Sequence, residues 1–125
     1  MRVAVIGSRS FDDYPTLVKH LDSLKISCIV SGGARGADKM AEIYAKERGI
    51  PTQIFPADWD TYGKKAGFIR NRDIVENCDL LVAFWDGESK GTKNSISIAK
   101  RINKRIMVIK FYKLCESHLE NFLKA

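Results

Sequence analysis

Short unbroken apolar runs alternate along the chain with stretches in which apolar residues recur every three or four positions. Val3, Val5 and Ile6 lie in the run 2–6 that Gly7 ends, and a run of that kind predicts a strand buried on both faces. Leu17, Val18, Leu21 and Leu24 then share one helical face, with Asp12 or Asp13 placed to cap it and Pro15 suited to its first turn. The pattern repeats. Residues 27–30 predict a second strand, and Ala37, Met40, Ala41, Tyr44 and Ala45 make the stripe of a helix that Gly49 stops. A third strand over 52–55 is closed by Pro56, and 66–77 is helical by propensity with poorer periodicity. Residues 80–85 form the most apolar run, the fourth strand. After the loop 86–91 come a helix over 92–102, a fifth strand over 106–109 and a terminal helix over 114–123.

Strand and helix alternate strictly, and the strands are continuous apolar runs instead of alternating ones. That combination requires right-handed crossovers and predicts an α/β fold, a doubly wound five-stranded parallel sheet of order 3-2-1-4-5 with helices on both faces. The 125 residues suffice for one such domain, spanning 1–125, and not for two. In this topology the connections leave the first and fourth strands in opposite directions and open a ligand crevice beyond their carboxyl ends. Four segments fall on that edge: Gly7-Ser8-Arg9-Ser10, residues 31–38, residues 64–72 and residues 86–92.

Composition narrows the class. Hydrophobic residues at 45% and charged residues at 29% are ordinary for a globular protein and speak against a disordered or fibrous one. No apolar run approaches the roughly 20 residues of a membrane span, and the strand-like start carries no signal-peptide pattern, so a soluble cytoplasmic protein without a membrane partner is expected. Cys28, Cys78 and Cys115 are odd in number and set apart in apolar surroundings, which points to buried free thiols and not to a disulfide or a metal site. His20 and His118 lie on amphipathic helices without a ligand-spaced partner and read as structural. A net charge of +6 favours an anionic partner, with nucleotide, RNA and DNA all open. Part of that charge, Lys100, Arg101 and Lys104, falls where a helix C-terminus is expected and complements its dipole.

The glycine-rich segments carry the chemistry. In Ser31-Gly32-Gly33-Ala34-Arg35-Gly36-Ala37-Asp38, small residues admit a ligand close to the backbone while amides at a helix N-terminus point toward negative charge. A phosphate cradle is the functional reading, and a tight strand-to-helix turn the structural one. Asp38, in the first helical turn, suits either capping or contact with a ribose hydroxyl. Gly91-Thr92 opens the fourth helix with amides and a hydroxyl, a second cradle. Arg70 and Arg72 are two apart on a helix, so both cannot serve one site equally and one of them faces solvent. Arg9 is placed either to fork onto a phosphate or carboxylate or to form a surface ion pair. Phe55, Phe84 and Trp85 end strands at the crevice and are candidates to stack on a base, whereas Phe11, Tyr44, Phe111 and Phe122 read as core. Trp59 and Tyr62 lie in the long loop 56–64, a candidate lid or partner surface.

Taken together, Gly7-Ser8-Arg9, the 31–38 segment, Phe55-Pro56-Ala57-Asp58-Trp59, Gly67-x-x-Arg70-Asn71-Arg72, and Phe84-Trp85-Asp86-Gly87 with Gly91-Thr92 closely resemble the YspA-like branch of the SLOG superfamily. That superfamily includes the Lonely Guy phosphoribohydrolases and the DNA-processing protein A family, and its smaller members look like binders of nucleotide or NAD-derived signals. The resemblance implies a Rossmann-like fold and a nucleotide-derived ligand such as ADP-ribose, with no resident cofactor; it also implies pairing as a homodimer, by analogy with the hydrolases. Arg70 matches the arginine that precedes the fourth strand in the hydrolases, and Gly91-Thr92 match their Gly-Thr pair. Where they carry a glutamate, three residues after the threonine, this chain has Ser95, and Asp86-Gly87-Glu88-Ser89-Lys90 stands in place of their Pro-Gly-Gly. Cleavage of an N-glycosidic bond needs negative charge beside the developing ribosyl cation, so the substitution removes its expected source.

The expected function is therefore a module that senses or sequesters a nucleotide-derived, phosphate-bearing ligand. The residues expected to bind it are Gly7, Ser8, Arg9, Ser31, Gly32, Gly33, Ala34, Arg35, Gly36, Asp38, Arg70, Trp85, Asp86, Gly91 and Thr92. A glycosidic hydrolase, with Arg70 and Asp86 as the catalytic candidates, and a single-stranded nucleic-acid binder are the alternatives. The last ranks third because the basic residues are spread along the chain.

Overall fold

Five parallel strands, β1 (Arg2–Gly7), β2 (Cys28–Ser31), β3 (Thr52–Ile54), β4 (Leu80–Trp85) and β5 (Arg105–Lys110), form one sheet in the order β3-β2-β1-β4-β5. The structure, a computed structural model, describes residues 1–112. The fold is the Rossmann-like, doubly wound arrangement that the alternating pattern requires. The expected terminal helix over 114–123, with Cys115, His118 and Phe122, lies outside the described residues.

Burial explains the apolar runs. β1 and β4 are the central strands, paired from Val3 opposite Leu80 to Gly7 opposite Phe84, and both of their faces are covered. On one face, α1 (Tyr14–Asp22) and α2 (Ala37–Arg48) pack Leu17, Leu21, Ala41 and Tyr44 against Val3, Val5, Val82 and Phe84. On the other, α4 (Ala66–Glu76) and α5 (Lys90–Arg101) pack Ile74, Val75, Ile96 and Ala99 against Ala4, Ile6, Leu81 and Ala83. Each fully buried Leu or Ile contributes about 2 kcal/mol of hydrophobic stabilisation, so neither helical layer is dispensable.

Local signals set the ends of the elements. Asp13, and not Asp12, caps α1: its carboxylate accepts from the Thr16 amide and hydroxyl. α1 stops at Asp22, which leaves Leu24 just beyond it, half-buried on the same core. Gly49 closes α2 in the left-handed conformation. The segment expected as a loop over 56–64 is partly helical. Asp58 caps a single turn, α3 (Trp59–Tyr62), and a 3-10 turn over Gly63–Lys65 leads into α4. α5 starts at Lys90, two residues before the expected position, because Ser89 is its cap and accepts from the Thr92 amide. Of the basic residues assigned to a helix C-terminus, Lys100 and Arg101 are in the last turn of α5, whereas Lys104 donates to the Cys78 carbonyl.

Candidate functional site

β1 and β4 end side by side, and the chain leaves them toward opposite edges of the sheet. A cleft of about 540 Å³ opens beyond their carboxyl ends. Its floor is Ile6, Gly7 and Ser8 of the β1 end. One wall carries Ala34 and Asp38 at the start of α2, the second carries Ser89, Gly91, Thr92 and Ser95 at the start of α5, and the third carries Trp59, Lys64, Gly67, Arg70 and Asn71. Arg9, Ser10 and Asp86 stand at the mouth. Two helix N-termini and three cations, Arg9, Lys64 and Arg70, thus border one hollow, an arrangement suited to anions.

The 31–38 loop is braced from inside. Buried Asp38 accepts through Oδ2 from the Gly32 amide at 3.1 Å and the Ala34 amide at 3.2 Å, and the Ser31 hydroxyl accepts from the Gly33 amide at 3.2 Å. These three amides, expected to cradle phosphate, are occupied by the protein's own oxygens. Asp38 is neither a plain helix cap nor a free ribose ligand. Burial pushes its carboxyl up to about 6, against the opposing pull of the Ala34 amide, the Arg70 guanidinium and the Gly32 amide. Arg70 holds the far side of the same peptide, donating from Nη1 to the Gly32 carbonyl at 2.9 Å while its Nε donates to Asn71. The Gly32 peptide is therefore gripped at both ends.

Further along the loop, Gly36 has φ of 81°, and a Cβ there would lie 2.5 Å from the Ser8 carbonyl oxygen. Gly36 lets α2 start against the β1 turn and does not border the cleft, and neither does buried Ser31. Gly32, Gly33 and Arg35 line an adjoining depression instead. Gly36, the N-cap of α2, offers no side chain, so the amides of the first turn have no side-chain cap.

On the β4 side the candidate carboxylate and the candidate stacking rings are all engaged by the protein itself. Asp86 caps its own loop, its Oδ1 accepting from the Glu88 and Ser89 amides at 2.8 Å each, while its amide donates to the Ser8 hydroxyl. Burial is the largest single influence and raises its pKa, but the Glu88 and Ser89 amides and the Ser8 hydroxyl together outweigh it and hold the carboxyl below the usual range. Trp85 does not border the cleft: its indole donates to the Ser89 carbonyl and its ring lies under the Lys110 ammonium. Phe84 is fully buried and stacked on Phe11, and half-buried Phe55 packs on the α4–α5 layer, so neither is free to hold a base. The side chain of a strand-end residue points alternately to either face, and these three point into protein.

Arg70 and Arg72 divide as the helical geometry requires: Arg70 faces the cleft, whereas Arg72 is exposed and paired with Glu76. Between them, buried Asn71 donates to the Gly91 carbonyl at 3.4 Å and to Asn94 at 3.2 Å, fixing the start of α5 relative to α4. The sequence placed 64–72 at this edge but singled out only Arg70; Lys64, Gly67 and Asn71 join it, and the polar residue between two arginines was the signal for Asn71. Trp59, expected on a lid or partner surface, borders the cleft and is 55% exposed. Ser95, at the position of the hydrolase glutamate, lines the cleft with its hydroxyl donated to the Gly91 carbonyl. No helix among the described residues is long and apolar enough to cross a membrane.

A family model described as "YspA, cpYpsA-related SLOG family" matches residues 1–62. The Gene 61 protein of Mycobacterium phage D29 is 37% identical over 121 residues, which cover 88% of this chain and 95% of that protein. Among solved structures, DNA processing protein A from Streptococcus pneumoniae superimposes with a TM-score of 0.73 at 19% identity, covering 99% of this chain and 56% of that one. The corresponding protein from Helicobacter pylori, whose structure is titled for its single-stranded DNA binding mode, gives 0.66 at 23% identity, covering 99% of this chain and 72% of that one. At these identities the structural likeness is one of fold, and the chain spans little more than half of the Streptococcus protein.

Proposed function

The chain belongs to the YspA, cpYpsA-related SLOG family, and from that premise we propose that its cleft holds a nucleotide-derived, phosphate-bearing ligand as a sensing or sequestering module. The observation that carries this reading is the convergence of Arg9, Lys64 and Arg70 with the starts of α2 and α5 on one hollow of nucleotide size. The β1–β4 cleft is also where the topology opens a crevice. Phosphate is assigned to the Arg70 and Gly91–Thr92 side, since the 31–34 amides are engaged by Asp38 and Ser31.

Binding is favoured over turnover by the state of the carboxylates. Ser95 supplies no charge, Asp86 is committed to two loop amides, and Asp38 to two others. The hydrolase alternative would need one of them released.

Thermal unfolding in the presence of nucleoside mono- and diphosphates and ADP-ribose tests the reading. At 100 times the dissociation constant a ligand adds about 2.7 kcal/mol, an unmistakable rise in melting temperature. Arg70→Ala should weaken binding at least about tenfold, the loss of a charged hydrogen bond, whereas Arg72→Ala should not change it. If no member of the panel shifts the melting temperature at millimolar concentration, the reading fails. A second reading, single-stranded nucleic acid, is supported by the basic residues that meet at the cleft beside exposed Trp59 and by the fold shared with the Helicobacter protein. It predicts affinity that grows with strand length and falls, for each tenfold rise in salt, by about 0.7 logarithmic units per phosphate contacted.

A further inference from the structure

Beside the cleft lies a shallower depression of about 370 Å³ that shares Arg9, Ala34, Trp59 and Arg70 with it. Its own lining is Gly32, Gly33, Arg35, Pro56 and Ala57. We propose that this depression is a second nucleotide subsite, so that the ligand is a dinucleotide whose phosphate bridge crosses the ridge at Arg9 and Arg70. The proposal rests on the reading of the main cleft as a nucleotide site.

The ridge has the chemistry of a bridge and not of a base. Arg9 and Arg70 stand on both sides of it, and Arg70 spends Nε on Asn71 and Nη1 on Gly32, which leaves Nη2 without a partner among the described residues. Arg9 and Arg35 form no ion pair among the described residues, in contrast to Arg48 and Arg72. Guanidinium groups presented in this way match the planar, bidentate recognition of phosphate oxygens. Trp59, half-exposed and common to both hollows, offers a ring face to a base, and Pro56 and Ala57 give the second hollow an apolar wall. The volume of each hollow falls in the range that buries one nucleotide unit.

A two-unit ligand fits better than a longer strand. Among the described residues, a further groove between α4 and α5 is lined by Phe68, Ile69, Ile98 and Ile102 together with Lys65, Arg72 and Arg101, and it shares only Phe68 with the cleft, so it does not continue the two hollows. The two hollows are also coupled. The Gly32 peptide, in the lining of the second, is held by Arg70, which borders both, and by Asp38, which borders the first, so a phosphate that draws on Arg70 acts on both.

Titration calorimetry at about 0.15 M salt tests this with the four ribonucleoside 5′-monophosphates, their 5′-phosphorylated homodinucleotides and homotrinucleotides, and the 5′,5′-diphosphate-linked dinucleosides. At least one dinucleotide should bind tenfold or more tightly than its monophosphate, and the two kinds of linkage decide which bridge the ridge prefers. Arg35→Ala, a change at an exposed side chain, should abolish that gain and leave monophosphate affinity within about twofold. Monophosphates that bind as tightly as dinucleotides, or a gain that survives Arg35→Ala, overturn the second subsite and leave the first reading intact. Trinucleotides tighter again by a similar factor overturn it in favour of a strand. Absence of binding by the whole panel overturns the reading of the cleft itself.

Discussion

Asp38 is the residue whose environment differs most from what its type requires. A carboxylate is drawn out of water to accept from two glycine-loop amides beneath the cleft, and burial lifts its pKa from the usual carboxylate range to about 6. Because the folded chain holds the proton more tightly than the unfolded one, this group stabilises the fold fully below about pH 4. The contribution disappears as pH rises through 6. The loss amounts to as much as about 3 kcal/mol, two pKa units at 1.36 kcal/mol each with a little over. Asp38→Asn keeps an acceptor and removes the titration. Its stability relative to the wild type should therefore improve steadily between pH 4 and 7 in urea unfolding, whatever the cost of the amide itself. A difference independent of pH would show that the carboxyl titrates normally. None of this was visible in the sequence, where Asp38 offered only a cap or a ribose contact. Helical spacing showed that Arg70 and Arg72 must part, and the match to the hydrolase arginine chose Arg70, whereas the fate of Trp85 depended on whether Ser89 could reach its indole.

At the scale of elements, glycines separate folding from binding. Gly36 sits at positive φ with the Ser8 carbonyl where its Cβ would be, so Gly36→Ala should cost about 3 kcal/mol, strain and overpacking together. Gly91 lies in the first turn of α5 with nothing within 4 Å of a Cβ built on it. On propensity alone Gly91→Ala should stabilise by up to about 1 kcal/mol. If a ligand approaches that turn, the same variant should bind nucleotide more weakly while melting at a higher temperature. Equal affinity would remove Gly91 from the site. Among the elements that the sequence foretold, β1, β2, β4, α1 and α2 share a cause: burial on one or both faces writes a continuous run or a stripe into the chain. Those it missed have no such record. α3 is a single turn with no buried residue, held by the Asp58 cap, and the two-residue shift at the start of α5 turns on one hydroxyl at Ser89.

At the scale of the molecule, the strand order is what makes a site from pieces scattered over the chain. Residues 7–10, 34–38, 59–71 and 86–95 meet only because β1 and β4 are neighbours whose exits diverge. Neither central strand has a free edge, so the amides of residues 3–6 and 81–84 should exchange with solvent only on global unfolding, while three-residue β3 at the edge opens more readily. Around the cleft the reverse holds: the single turn α3 has no buried residue, and the first amides of α2 and α5 lack an intrahelical carbonyl acceptor, so these segments exchange faster in the free protein. A ligand lying in one shared hollow must slow all of these segments together, at the same concentration, although they are far apart in sequence. Hydrogen exchange with and without a nucleotide at saturation should therefore show joint protection of residues 34–40, 59–70 and 86–93, with the C-terminal half of α2 unchanged. Protection restricted to residues 86–93 would mean that the α5 turn binds anions alone and that the shared cleft, on which both the nucleotide reading and its second subsite depend, does not act as one site.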